Sequence, residues 1–241
     1  MRTSPAVLIV TLITLISGLI SVPASRAEQP SAKGESVKPG INARYLAPDM
    51  KIEEWVERFE GESREIFVAR QAITEAVQLK PGATIADIGA GTGLFTALFA
   101  QQVGAEGQVY AVDIAPKFVA HLRDRAAEKG LGQVTAVLGR EDSITLPKES
   151  IDVAFVCDVY HHFEYPQASL ASIYRALRPG GTFVVIDFER IPGTTSQWLL
   201  DHVRAGKEVV TKEIQAARFQ LLEEVALDGL KENYFLRFTK P

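Results

Sequence analysis

Cysteine is almost missing from this chain. Cys157 is the only one in 241 residues, so no disulfide can form within the molecule. A chain of this size needs none, because 46% hydrophobic residues suffice to bury a core in one α/β domain. An excess of positive charge is missing too: the formal net charge is −4. That balance argues against nucleic acid as a partner, since binding it depends on clustered lysine and arginine. There is no internal repeat, no low-complexity tract, and no apolar run as long as the roughly 20 residues a membrane-spanning helix needs.

The nearest approach to such a run is Ala6 to Ile20, behind Met1 and Arg2. Its length fits a signal peptide, and Ser25-Arg26-Ala27 offers small residues for cleavage, with a second option after Val22-Pro23-Ala24. The expectation is a signal at 1–27 and an exported protein, periplasmic or secreted, with no stable membrane insertion after cleavage; an uncleaved anchor is the alternative. No cysteine stands near the cut for lipid attachment, and one arginine is not a twin-arginine signal. Removing Arg2 and Arg26, with no acids lost, takes the net charge from −4 to −6.

Residues 28–48 are expected to be a polar linker, the Pro/Gly-rich part at 28–40 reading as disordered. A catalytic domain over 49–241 follows, opening with helices at 49–79. Ile52, Trp55, Val56 and Phe59 mark the first; a second, from about Glu62 to Gln78, turns Ile66, Ile73 and Val77 inward. Beyond Lys80-Pro81-Gly82, strands and helices alternate. Strands are expected at Thr84–Ile88, Gln108–Ile114, Gln133–Leu138, Ile151–Cys157 and Thr182–Asp187, with helices after Gly93, from Pro116 to Lys129 and from Gln167 to Leu177. A helical stretch to about Ala217 precedes two β-rich runs joined through Asp228-Gly229. This pattern predicts a Rossmann-like doubly wound sheet of seven strands in the order 3-2-1-4-5-7-6, parallel except for the C-terminal antiparallel hairpin.

The chemistry gathers at Thr84–Gly93, T-I-A-D-I-G-A-G-T-G, which reads as a strand, a glycine turn and the start of a helix. A dinucleotide fingerprint wants glycines at positions one, three and six. Counting from Gly89, position six is Leu94, so the fingerprint fails. What stands there is Asp87-x-Gly89-x-Gly91-x-Gly93. A carboxylate two residues before the first glycine suits a ligand carrying an ammonium group better than a pyrophosphate.

Three spaced motifs, D-I-G-A-G-T-G, an acid ending the second strand (Asp113), and L-R-P-G-G before the fifth, resemble class I S-adenosylmethionine-dependent methyltransferases over about residues 62–241. The run Asp158-Val159-Tyr160-His161-His162-Phe163 resembles the small-molecule branch near the ubiquinone/menaquinone type. The resemblance implies S-adenosyl-L-methionine as cofactor and a small molecule as methyl acceptor. It places Asp87, Gly89, Ala90, Gly91 and Gly93 around the cofactor, with Asp113 and Ile114 at the ribose and Asp142 beside the adenine amine. Glu141 competes with Asp142, because the G-R-E-D-S loop is longer than the family's. Asp158 is placed at the same site, and Arg64 is a candidate partner of the methionine carboxylate, or else a surface arginine beside Glu60.

Methyl transfer from a sulfonium is an in-line displacement, needing a general base only when the nucleophile has a proton to lose. His161, His162 and Tyr160 are the candidates. No metal is expected, because adjacent histidines diverge on a strand or helix. Cys157 reads as a small buried hydrophobe, and Trp198, His202 and Arg204 as an acceptor cover or a packed helix. A cofactor-binding module without activity and an oxidoreductase with an unusual glycine turn stay open as alternatives.

Overall fold

The computed structural model describes residues 34–61 and 64–241. The expected signal at 1–27 and the first residues of the linker lie outside them. Among the described residues, no helix is long and apolar enough to cross a membrane.

Seven strands form one sheet in the order β3-β2-β1-β4-β5-β7-β6. They are β1 (Thr84–Ile88), β2 (Gln108–Asp113), β3 (Val134–Leu138), β4 (Ile151–Cys157), β5 (Leu177–Phe188), β6 (Gln220–Glu224) and β7 (Asn233–Thr239). Strands β3 to β5 pair in parallel around β1, and β7 pairs antiparallel with both β5 and β6. The expected order and hairpin are both present.

The near-continuous apolar runs of β4 and β5 follow from a sheet covered on both faces. Along β4, Val153 and Phe155 join one core with Ile73, Phe95 and Phe99, while Ala154 and Val156 join another with Leu170, Ile173 and Ile214. Alternate side chains leave a strand on opposite faces, so two cores mean three layers. Helices α3 (Arg70–Ala76) and α4 (Leu94–Val103) cover the first face. Helices α6 (Pro166–Ala176) and α8 (Lys207–Ala216) cover the second. Helix α5 (Pro116–Glu128) packs on β2 and β3.

Three local differences from the sequence pattern have physical causes. The second expected helix is two: α2 (Glu65–Val68) and α3, separated at Ala69, whose ψ of 2° interrupts the helix. Strand β5 starts at Leu177 rather than Thr182, because Leu177 already pairs with Ile151, and the register then shifts so that residues 178–181 bulge opposite Asp152 before Thr182 pairs with Val153. The helical stretch before Ala217 divides into α7 (Gln197–His202) and α8, with Val203 extended and buried between them.

Residues 34–50 do not hang free. Val37 donates its N–H to the Glu164 carbonyl at 2.9 Å, Ser36 Oγ donates to Glu164 Oε2 at 2.7 Å, and Asn42 is buried. Lys38 Nζ donates to the carbonyls of Asp201 and His202. Tyr45 and Met50 pack with Trp55 and Phe59 of α1 (Ile52–Phe59) against Phe118 of α5. This stretch roofs the carboxyl ends of the central strands.

Candidate active site

A cleft of about 470 Å³ opens at the carboxyl ends of β1, β2 and β4, within the range of small-molecule sites, roughly 300–1,000 Å³. Its floor is the turn after β1. Gly89 and Gly91 there have φ of +72° and +53°, a left-handed conformation that side chains disfavour. A Cβ on Gly89 would stand 2.5 Å from the Val159 methyls. Gly93, also left-handed, lies against Leu122 of α5 and outside the cleft lining. It therefore serves helix packing rather than ligand contact.

Two carboxylates flank the turn, and both line the cleft. Asp87 accepts a hydrogen bond from Thr96 Oγ1 at 2.6 Å. Asp113 accepts the N–H of Gly91 at 2.9 Å and that of Ala115 at 2.8 Å. Both are buried, at 4% and 7% exposure, and none of these donors is a cation. Burial, with a smaller push from Asp113, lifts Asp87 from 3.8 to about 7. Burial lifts Asp113 to about 6 against its backbone donors. Ala90 and Ile114 line the cleft beside them.

The loop after β3 departs from expectation. Glu141 lines the cleft, whereas Asp142 turns aside and meets Arg140 Nε at 3.2 Å. The acid that faces the cleft is thus Glu141, one position before Asp142. Arg64 reaches the cleft and donates to Asp158, and Glu60 pairs with Arg125 rather than with Arg64. Asp158, the residue after β4, has φ of +53° and also accepts from Asn233. Burial raises it to about 6, opposed by Arg64.

Past Asp158 the chain makes a 3-10 turn at Tyr160–His162. Tyr160 points away from the cleft. It is fully buried among core residues, and its hydroxyl donates to Glu213 at 2.8 Å. The tight turn sends residue 160 under the sheet edge and the next two toward the cleft, so Tyr160 is removed from the catalytic candidates. His161 and His162 both line the cleft. Asp187 Oδ1 lies 2.7 Å from His161 Nδ1, and Asp187 Oδ2 accepts the His161 backbone N–H at 3.0 Å. Burial draws His162 down to about 2, with nearby positive groups adding to the effect. Its Nδ1 is buried without a hydrogen-bond partner.

Neighbouring histidines were expected to diverge; in this turn their ring centroids are 4.3 Å apart. Helix α7 adds His202, 5.1 Å from His161 and 5.2 Å from His162. Trp198 is exposed and stacks on His202 at 4.9 Å, so it covers the cleft instead of packing on the sheet. Arg204 pairs with Glu213 and lies outside the lining. Cys157 lines the cleft, its thiol pushed up by burial.

Sequence reasoning missed Asn42, Arg44, Tyr45 and Phe59 as parts of the cleft wall. The signal lay in I-N-A-R-Y-L at 41–46, where apolar and aromatic residues return after the polar stretch.

Residues 86–185 match the family model described as a methyltransferase domain. A ubiquinone/menaquinone biosynthesis C-methyltransferase of Hydrogenovibrio crunogenus is 32% identical over 123 residues, 51% of this chain and 48% of that protein. The chain thus spans about half the length of the curated relatives it matches. A SAM-dependent methyltransferase from Aquifex aeolicus superposes with a TM-score of 0.70 at 21% identity, over 80% of this chain and all of that one. The [4+2]-cyclase SpnF superposes at 0.62 with 19% identity, over 70% of this chain and 80% of its own.

Proposed function

We propose that this protein, which carries a methyltransferase domain in a class I methyltransferase fold, binds S-adenosylmethionine and methylates a small molecule. The observation that carries this is the pair Asp87 and Asp113. Two buried carboxylates at the ends of adjacent central strands, with no cation among their hydrogen-bond donors, fit a ligand that brings an amine and hydroxyls. They would repel a pyrophosphate laid on the same turn.

The cofactor would supply a methyl group on a sulfonium, already activated for displacement. The chain's residues do the rest. Gly89, Ala90 and Gly91 let the backbone approach closely. Asp87 accepts from the amino group, Asp113 and Ile114 hold the ribose, and Glu141 takes the adenine side. Arg64, fixed by Asp158, offers its remaining guanidinium nitrogens to the carboxylate. At the reaction edge, Asp187 engages His161 Nδ1 and leaves Nε2 to take a proton from an acceptor that has one to lose. The aromatic walls, with Tyr45, Phe188 and Trp198 near the histidines, exclude water and suit a largely apolar acceptor.

The [4+2]-cyclase among the neighbours shows that this fold also serves other chemistry. Turnover of radiolabelled S-adenosylmethionine against a panel of phenols, quinols and amines tests the assignment. Label appearing in an acceptor supports it. Cofactor binding with no transfer to any acceptor would favour the binding module instead.

A further inference from the structure

We propose that His161, His162 and His202 form a three-histidine site for a divalent transition-metal ion, zinc or a close analogue, on the wall of the cleft. One ring nitrogen of each histidine lies within 4.8 Å of one nitrogen of each of the others. Two nitrogens on one zinc stand roughly 3.3 Å apart, given Zn–N distances of about 2.0–2.1 Å. From a 4.8 Å limit the nitrogens therefore need to close by at most about 1.5 Å, and His202 sits at the end of a six-residue helix.

Each ring is positioned by something other than its fellow histidines. Asp187 engages Nδ1 of His161, leaving Nε2 as its metal-facing atom; a ligating histidine nearly always gives its second nitrogen to such a partner. His162 is oriented by the edge of Tyr45 at 5.2 Å and by Asn42, which donates to its carbonyl at 3.0 Å. Trp198 stacks on His202, and Lys38 clamps the His202 carbonyl. The buried Nδ1 of His162 lacks a hydrogen-bond partner. A buried polar atom left unsatisfied is costly, so a ligand at this cluster gains from what is already there.

Imidazole suits zinc, copper, nickel and iron, and three protein ligands leave a coordination position open, as in sites that bind substrate. All three histidines line the cleft, so the open position faces it. Arg44 and Arg58 line the same cleft, and Lys38 is close by. With cations already there, the open position calls for an anionic oxygen: hydroxide, carboxylate or phenolate. That an acceptor oxygen takes this position rests on the methyl-transfer reading; metal binding itself does not. The two roles of His161 exclude each other, because Nε2 on a metal is not a base.

The test is titration of the tag-free, chelator-treated full chain with Co²⁺ and Zn²⁺, alongside His202→Ala and Asp187→Asn. The expected result is one equivalent of Co²⁺ bound with visible absorption bands, displaced by Zn²⁺. Affinity should fall at least tenfold in His202→Ala and roughly 10–100-fold in Asp187→Asn. S-adenosylmethionine affinity, measured on the same samples, should be unchanged in His202→Ala, which shows that the variant is folded and separates the two sites. No saturable binding, or equal affinity in the parent and His202→Ala, would overturn the proposal and leave the three rings as a packed aromatic cluster.

Discussion

The carboxylate of Asp113 holds the turn it faces: Oδ2 accepts the N–H of Gly91 at 2.9 Å, while Oδ1 accepts that of Ala115 at 2.8 Å. One side chain at the end of β2 thus shapes the glycine turn after β1. In Asp113→Ala both effects go together. Each hydrogen bond to a charged group is worth roughly 1.5–3 kcal/mol, so cofactor affinity should drop at least tenfold and the melting temperature should also fall. Asp113→Asn cannot accept from both N–H groups with a carbonyl and an amide nitrogen, and should sit between the two. Calorimetry and thermal melts on the same samples measure this.

At Gly89 the constraint is steric as well as conformational. A methyl group meets Val159 at 2.5 Å in a left-handed backbone, which costs roughly 1–3 kcal/mol for the strain alone. Gly89→Ala should lower stability and cofactor affinity, and Val159→Ala should restore part of both. Gly132→Ala, where nothing lies within 4 Å, serves as the control and should melt like the parent.

Acidity sets a third expectation. Asp113 is raised from 3.8 to about 6 and Asp87 to about 7 by burial in the cleft. A raised carboxyl means the folded chain holds a proton that the unfolded chain has released. These two groups therefore contribute stability at low pH that is lost as pH climbs from about 4 toward 7. Cofactor binding needs the charged forms and runs the other way. Affinity should rise between about pH 5 and pH 7.5 and then level off. In Asp113→Asn the remaining rise should shift toward the Asp87 value.

Tyr160 supplies a fourth. Its hydroxyl serves Glu213, which Arg204 also holds. Tyr160→Phe removes one hydrogen bond to a charged group, costing about 1.5 kcal/mol or somewhat more. Methyl transfer per folded molecule should stay at the parent level. A large loss of kcat with unchanged melting would return Tyr160 to the catalytic set.

The sheet was legible because its signals are local and redundant. Apolar runs such as I-D-V-A-F-V-C at β4 place strands without knowledge of their partners. The turn was legible because Asp87, Gly89, Gly91 and Gly93 stand at fixed spacing within one short stretch of sequence. The histidine cluster was not, because whether His161 and His162 converge depends on a 3-10 turn and on Asp187, some 25 residues further along. Nor was His202 legible as their neighbour, since α7 is placed by tertiary contacts, Lys38 among them. The roof at 34–50 was hidden for the same reason: it is held by residues distant in sequence, Glu164, α7 and Phe118 of α5. Asp142 and Glu141 differ by one residue in a loop, where spacing cannot say which side chain turns inward.

On the reading proposed above, the turn between Asp87 and Gly93, with Asp113, holds S-adenosylmethionine. Titration calorimetry of the parent chain and of Asp113→Ala, against S-adenosylmethionine and NAD in turn, decides it. The expected result is saturable one-to-one binding of S-adenosylmethionine by the parent, a loss of at least tenfold in the variant, and no saturable binding of NAD. Saturable binding of NAD without S-adenosylmethionine, or equal S-adenosylmethionine affinity in the two chains, would overturn that reading of the turn.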